Sequence, residues 1–560
     1  MNLALSELKN KKSLAIIQLT RIGDLIQTFL AAKELNKQYP EVALTLIARK
    51  KFAKPLAFLL DEVFDNIIYL DTKDFFAYEG EKSLKQTMNA CRSLLKSIND
   101  VGIDVVVNLS FCKPSTYLTS LVNTSLKIGC YRSTNAQIIV NDTWSQLVFS
   151  NIMKTAFTPY NLVDIYKRIL GVSRTEIPQV TNDLSTRSNS IVIHPFASEK
   201  RKRWGHSKWL EVIYQILKHN SDYKITLVGG KEDESELHFF KDSQILKGFS
   251  DRLDYFVGTK SIEEVYRTLT DAKLFIGHDS MVGHLAAVAQ TPSLTLSLGT
   301  VRPYETTPYQ VGALNIAPRI KCYPCHNTTP CELMPCHSDL SYQSVVAITN
   351  TILAGGDVQE LLKSDKARDL SIDNVNVFKT YEPDTRELEL EEISKQQTDS
   401  MMLFQSFYKI LWSFTLSGLE ISSSVPKLSD TVKKTLNFYL EGVTHLFELY
   451  KFGTNFSKFL LDETKAKTPQ IPKLQEYNTK INEIIQMTSI IKNHYPFLAP
   501  IVNYYHVKLS NVPGDSIITV AENTLIGFNQ GNQACSIFYE LISQCVAQNS
   551  TASTTPSRTV

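Results

Sequence analysis

The sequence lacks most of what would mark a membrane-spanning, secreted or nucleic-acid-binding chain. It holds no run of about eighteen uncharged apolar residues, the length a membrane helix needs. The best candidate, 403–419, is interrupted by Lys409 and several serines. The apolar run Ser13 to Leu19 follows Lys9, Lys11 and Lys12 but is too short for a signal core, and Arg21 and Asp24 come directly after it. Cysteine is sparse, nine in 560 residues, with no even framework along the chain. A secreted disulfide scaffold is therefore disfavoured, and a cytoplasmic protein is expected. Charge of one sign is not in excess either. With 59 Lys and Arg against 57 Asp and Glu, the net charge is +2, and no basic field points to nucleic acid.

What is present is ordinary globular material, 43% hydrophobic and 21% charged, in a chain too long for one core. Short, nearly continuous apolar runs occur at Leu14 to Leu19, Leu44 to Ala48, Ile67 to Leu70 and Val105 to Leu109. A second series lies at Ile191 to His194, Ile225 to Val228, Leu274 to Ile276 and Leu294 to Leu298. Amphipathic stretches such as Ile26 to Tyr39 and Trp209 to Lys218 separate them. Alternation of this kind predicts doubly wound α/β units whose strands are buried on both faces. The expected organisation is a Rossmann-like domain over 1–172, a linker over 173–190, a second Rossmann-like domain over 191–363 and a charged linker over 364–397. An all-α domain over 398–548 and a disordered tail over 549–560 complete it. In the α domain Val432, Leu436, Tyr439, Leu440, Val443, Phe447 and Tyr450 fall on one helical stripe, and Pro426, Pro469, Pro472, Pro500 and Pro513 mark breaks.

Three segments at strand ends carry the residue types of a binding crevice. The first strand runs into Thr20-Arg21-Ile22-Gly23-Asp24. Gly23 permits a tight turn with free N–H groups, and Asp24 stands where open α/β sheets bind ligands. Asp24 is equally placed to cap the helix, and the G-x-G-x-x-G dinucleotide fingerprint is missing. After His194 comes a small-residue loop with Ser198, then Lys200-Arg201-Lys202-Arg203-Trp204. Cations beside a helix N-terminus suit a diphosphate, although a solvated basic loop has the same composition. The third segment is Asp279-Ser280-Met281-Val282-Gly283-His284, opening a small-residue helix. Asp279 has acceptors for sugar hydroxyls and Ser280 with the following N–H groups suits phosphate, while His284 reads equally as a buried core histidine.

In this order and separation, the segments resemble glycosyltransferase family 9, the ADP-heptose:lipopolysaccharide heptosyltransferases, over roughly 13–350. The likeness rests on R-x-G-D at Arg21 to Asp24, K-x-W at Lys202 to Trp204, D-S-x-x-x-H at Asp279 to His284, and Thr291-Pro292. Met281 and Gly205 depart from it, standing where the family usually has glycine and proline. The resemblance implies a GT-B fold, with the acceptor on the first half and the nucleotide-sugar donor on the second. It assigns Asp24 as general base, with Lys202 as the second catalytic residue. Gly23, Ser198, Lys202, Asp279, Ser280, Met281 and His284 become donor-binding residues. The implied reaction is inverting transfer of a sugar, heptose by analogy, to a lipopolysaccharide or protein acceptor, with peripheral association at the inner membrane. No Asp-x-Asp occurs, so no catalytic cofactor is expected and positive charge has to neutralise the leaving group. A GT-B-shaped scaffold acting through its helical domain is the alternative, and a sugar-nucleotide epimerase is a third reading.

Two features stand apart. Cys322, Cys325, Cys331 and Cys336 lie within fifteen residues, with His326 and His337 among them, a composition that suits a structural zinc or iron site. Four reduced thiols in a stiff loop are the plainer reading. The helical domain holds no chemical motif, and binding of the acceptor, of a protein partner or of a second copy are all compatible with it.

Overall fold

The computed structural model describes residues 11–71, 84–153, 158–172, 175–180, 184–326, 330–394, 399–421 and 426–551. The apolar runs form strands β1 (Ser13–Gln18), β2 (Ala43–Arg49), β3 (Asn66–Leu70) and β4 (Val105–Asn108), joined by β5 (Leu126–Arg132) and β6 (Ile138–Val140). They make one sheet in the order β3-β2-β1-β4-β5-β6, parallel except at the β6 edge. Ile16 lies opposite both Leu46 and Val107. Alternate residues of β1 supply two cores, Leu14 and Ile16 on one face and Ala15 and Ile17 on the other. Burial on both faces explains why these strands lack the apolar–polar alternation of a half-exposed sheet.

The second sheet repeats the plan with β7 (Ser190–His194), β8 (Lys224–Gly229), β9 (Leu253–Val257), β10 (Leu274–His278), β11 (Ser293–Leu296) and β12 (Leu314–Pro318). Its order, β12-β11-β10-β7-β8-β9 over these strands, reverses between β7 and β10, as the first sheet's does between β1 and β4. The molecule thus contains two Rossmann-like domains in the GT-B manner, followed by a helical region. The loops leaving β1, β7 and β10 sit at the two topological switch points, where open α/β sheets form their ligand crevices.

The segment 364–397 is more than a linker. It adds β13 (Val375–Tyr381) and β14 (Glu389–Glu392) antiparallel to the edge of the second sheet, beyond β12. Its charges misled the reading because edge strands keep one polar row facing out: Lys379 and Glu391 pair across the hairpin while Val377, Phe378 and Leu390 are buried. At the C-terminus the last helix extends to Thr551, past the expected start of a tail at 549. Residues 552–560 of that expected tail lie outside the described residues.

The helices that position the site and open the C-terminal region are α1 (Ile22–Gln38), α2 (Leu162–Ile169), α3 (Met281–Val288), α4 (Pro303–Thr306) and α5 (Ser400–Ser417). After α5 come α6 (Asp430–Thr464), α7 (Ile471–His494), α8 (Ala499–Ser510) and α9 (Ile517–Thr551). Pro472 and Pro500 sit in the first turns of α7 and α8, where the missing N–H costs nothing. The C-terminal helices share one apolar core with the first domain: Leu403, Phe404 and Trp412 belong to the same buried cluster as Trp144, Tyr160 and Leu14.

A polar network reinforces that junction. Glu387, in the β13–β14 connection, accepts from Arg168 Nη2 of α2 at 2.7 Å and faces Lys409 Nζ of α5 at 2.7 Å. Burial disfavours the Glu387 carboxylate, but Lys409 and Arg168 outweigh it and hold the group below its ordinary range. Burial likewise opposes the Lys409 ammonium, and Glu387 and Glu389 overcome this and raise it. Nearby, Asp164 accepts from Tyr309 Oη and from the Leu388 N–H, at 2.9 Å for the latter. Replacing Glu387 by Ala removes the partner that Arg168 and Lys409 share and leaves the buried Lys409 with only Glu389 at 3.5 Å, a loss of about 3 kcal/mol for a pair of this kind. Urea unfolding of Glu387→Ala against the parent chain measures it, and a loss below about 1 kcal/mol would show that the network contributes little.

Candidate functional site

The first strand ends and α1 begins within four residues, which sets Asp24 in the first helical turn. Its Oδ2 accepts from the Arg21 N–H at 3.0 Å, so the capping role is real. The carboxylate also lies in the surroundings of two buried rings. Tyr166 of α2 has its phenol raised by burial and then by Asp24, and His284 of α3 is drawn upward by Asp279 and Asp24 against a larger lowering by burial. Gly23 meets α3 directly. A Cβ at this position would stand 3.2 Å from His284 Cδ2, so a side chain on residue 23 would need the ring on the opposing helix to give by a few tenths of an ångström.

On the second domain, Lys202 Nζ lies 3.5 Å from Asp279 Oδ2, and both side chains are largely sheltered. His284 senses Asp279, Asp24 and Lys202 together. The structure therefore brings Gly23, Asp24, Lys202, Asp279 and His284 together where α1 of the first domain packs against α3 of the second, with His284 between the two halves. Ser280 is the N-cap of α3, yet its side chain caps nothing, and its Oγ is buried without a hydrogen-bond partner. An orphaned hydroxyl beside a helix N-terminus fits an anionic ligand. Met281 occupies the first helical position and packs on the interdomain core. Ser198 stands exposed on the loop after β7.

Only one member of the basic run faces this crevice with a carboxylate. Arg201 pairs with Glu199 at 2.7 Å, Arg203 with Glu236 and with the Ala197 carbonyl, and Lys200 is exposed. What holds Lys202 in place was not readable from the motif. His278, the residue before Asp279, is fully buried. Its Nε2 accepts the Trp204 N–H at 2.9 Å, so its Nδ1 carries the proton donated to the Phe196 carbonyl at 3.1 Å. Burial drives this imidazole down to about 3, with His194 adding to it, which locks the neutral form. The β10 end is thereby tied to both ends of the Lys202 loop.

The cysteine segment supports the same loop from behind. The His337 carbonyl accepts from Lys208 Nζ at 2.6 Å and from the Trp204 indole at 3.3 Å, while His337 Nε2 donates to the Arg201 carbonyl at 2.8 Å. Gly299, at φ +61°, passes so close to Arg201 that a Cβ would collide with its backbone. The four thiols do not fit the metal site expected of them. Cys336 is packed into the second domain's apolar core, Cys322 is exposed, and among the described residues no three His, Cys, Asp or Glu side chains form a metal-holding group. Cys325 is raised by burial and further by the other three thiols, whose ionisation close by would disfavour a second thiolate.

A second carboxyl group escaped the motifs. Glu305 of α4 is buried, accepts from the Thr158 N–H, and is pushed up to about 7 by burial, with Arg302 opposing and Asp279 reinforcing. Its only sequence signal is the pair Arg302-x-x-Glu305, one helical turn apart, which joins at 3.4 Å.

Residues 91–334 match the family model described as glycosyltransferase family 9 (heptosyltransferase). The chain is 23% identical over 285 residues to lipopolysaccharide heptosyltransferase 3 of Escherichia coli, covering 49% of this chain and 80% of that protein. It is 22% identical over 307 residues to the lipopolysaccharide core heptosyltransferase OpsX of Haemophilus influenzae, covering 53% and 82%. Among solved structures, E. coli heptosyltransferase WaaC with ADP aligns at 16% identity and a TM-score of 0.45, over 61% of this chain and 99% of that one.

Two opposite pH dependences follow from the buried groups. The folded chain keeps the Glu305 proton up to about 7, whereas an ordinary glutamate loses it near 4.5, so this group's stabilisation fades as pH rises through that window. Relative to Glu305→Gln, the parent should lose up to about 3 kcal/mol of unfolding free energy across it. His278 has the reverse sign, because only the unfolded chain takes up a proton between 6.5 and about 3. Acidification from about pH 7 to about pH 5 should cost the parent about 2 kcal/mol that His278→Leu, already weakened by its two lost hydrogen bonds, does not lose. Denaturant titrations across this range test both, and parallel curves for parent and variants would refute the assigned burial.

Proposed function

We propose that this chain is a family-9, heptosyltransferase-like glycosyltransferase that carries out inverting, metal-independent transfer of a heptose from a nucleotide-sugar donor to a lipopolysaccharide or protein acceptor. One observation carries the reading. Asp24 of the first domain and Asp279 and Lys202 of the second all lie close enough to His284 to act on its charge, and Lys202 faces Asp279 at 3.5 Å. In this proposal the donor's diphosphate lies at the N-terminus of α3, taking hydrogen bonds from the unpartnered Ser280 hydroxyl and the first helical N–H groups. Lys202 supplies the positive charge that neutralises the departing diphosphate, in place of a metal. Asp279 orients Lys202 and accepts from donor hydroxyls.

Asp24, on the opposite wall, accepts the proton of the attacking acceptor hydroxyl, so that attack and departure occur on opposite faces of the sugar and the anomeric configuration inverts. Gly23 lets that carboxylate approach the donor domain. Because α1 abuts α3 at Gly23 and His284, the two domains part to admit substrates and close to exclude water. The donor and acceptor classes are carried by the likeness to lipopolysaccharide heptosyltransferases. A soluble domain working beside the inner membrane on a glycolipid fits the same reading, and no helix among the described residues is long and apolar enough to cross a membrane.

Asp24→Asn should lower turnover by on the order of 10²–10⁴ with donor binding nearly intact. Lys202→Ala should weaken donor binding as well, since it removes a charge-assisted contact. Transfer assays with ADP-heptose and calorimetric titration of ADP separate the two effects. Undiminished turnover in Asp24→Asn removes the base. Absence of transfer with any donor favours the scaffold, and donor isomerisation without acceptor favours an epimerase.

A further inference from the structure

Arg201, the neighbour of Lys202, is held from two sides by the cysteine segment. Its Nη1 donates to the His326 carbonyl at 3.3 Å, and its own carbonyl accepts from His337 Nε2 at 2.8 Å. His326 follows Cys325 and His337 follows Cys336, so each grip is one residue from a thiol. The two cysteines also share a third residue. The Cys325 N–H donates to the Gly299 carbonyl at 2.8 Å, and the Gly299 N–H donates to the Cys336 sulfur. Gly299 in turn lies so close to Arg201 that an added Cβ would stand 2.5 Å from its carbonyl oxygen. Cys325, Cys336, Gly299 and Arg201 therefore form one cluster behind the loop that carries Lys202.

Proximity and shelter suit this pair to one reversible reaction. Of the three other thiols, Cys336 acts most strongly on Cys325. Cys336 is buried, whereas Cys325 is half-buried and open to a small reagent. Burial raises both thiols above their ordinary range, so the resting pair is protonated and reduced. A disulfide needs its two Cβ atoms about 3.5–4.5 Å apart. Two cysteines bonded to one glycine are placed to reach that separation by a local movement.

We propose that Cys325 and Cys336 are a redox modification site that governs the loop carrying Lys202. The oxidant is a low-molecular-weight disulfide. The Cys325 thiolate attacks one of its sulfurs, which releases one thiol and leaves a mixed disulfide on Cys325. The Cys336 thiolate then attacks the Cys325 sulfur and releases the second thiol. One S–S bond forms as one breaks, the oxidant takes two electrons, and the two protons end on the released thiols. Closing the bond shifts His326 and His337, loosens their hold on Arg201 and moves Lys202 out of line with Asp279. The reduced chain is then the donor-binding form and the oxidised chain binds diphosphate weakly. This control rests on the reading of the Lys202 loop as the donor site.

The test exposes the full chain, first reduced with dithiothreitol and then freed of it, to glutathione disulfide. Differential alkylation and mass spectrometry map the cysteines, and calorimetric titration of ADP is run before and after. A Cys325–Cys336 disulfide should form, and ADP affinity should fall at least tenfold and return with dithiothreitol. Cys325→Ser should bind ADP like the reduced parent and keep that affinity under the oxidant, with an unchanged melting temperature. Cys336→Ala, the second variant, should be equally insensitive, and Cys322→Ser should respond like the parent. No disulfide, a disulfide joining another pair, or unchanged ADP affinity in the oxidised parent overturns the proposal. Failure of the reduced parent to bind ADP overturns the donor-site reading and, with it, the control of that site, whatever the cysteine map shows.

Discussion

Three parts of the molecule meet at one carboxylate. Glu387 leaves the second sheet's edge hairpin, reaches Arg168 of the first domain and Lys409 of the helical domain, and is buried while doing so. In water this triad would be worth little, because solvent screens each pair. Out of water the cost of desolvation is large, and only the two-sided pairing makes the buried charge tolerable. The geometry is accordingly strict: if the hairpin moves off α2 or α5, at least one cation is left alone in apolar surroundings. Such a contact specifies how the parts sit together more than it adds to the sum of their stability.

The crevice obeys the opposite logic, since its supporting groups work by being neutral. His278 has to keep one proton on one nitrogen to hold both the Phe196 carbonyl and the Trp204 N–H, and burial secures that form. A charged imidazole there would lose its acceptor and repel Lys202 and Arg203 nearby. With the loop fixed by a neutral clamp, the Lys202 charge is left facing Asp279 alone. Glu305 follows the same rule, its carboxyl shifted toward the protonated form beside an ionised neighbour.

Much of this was legible in the chain. β1, β4, β7 and β10 are continuous apolar runs because both faces are covered, and no charge interrupts them. Asp24, Lys202 and Asp279 could be singled out because each lies in the loop or first helical turn after such a run, and strand ends at switch points are where crevices form. What stayed hidden has specific causes. Leu126–Arg132 and Leu314–Pro318 carry Lys127, Gly129, Asn315 and Pro318 inside their spans, and the composition masks the strand. β14 reads Glu-Leu-Glu-Glu, which only its pairing with β13 turns into a strand. His278 looks like any core histidine until its two partners, 74 and 82 residues away, are known. The cysteines are a different case: spacing suggested convergence, and the thiols do lie close enough to act on one another, yet among the described residues they form no metal-holding group.

The hairpin also constrains how the crevice can open. β13 is hydrogen-bonded to β12 along five residue pairs, so it moves with the second sheet. Glu387 and the Leu388 N–H are bound to α2 and α5, so the residues after the hairpin's turn move with the first domain and the helices. Those helices and the first domain share one core and cannot separate without exposing it. Any parting of α1 from α3 therefore has to be absorbed between these two anchorages, or else break one of them. The segment from Glu382 to Arg386 lies between them, where Arg386 at φ +58° and the ion pair Arg386–Glu382 mark a turn.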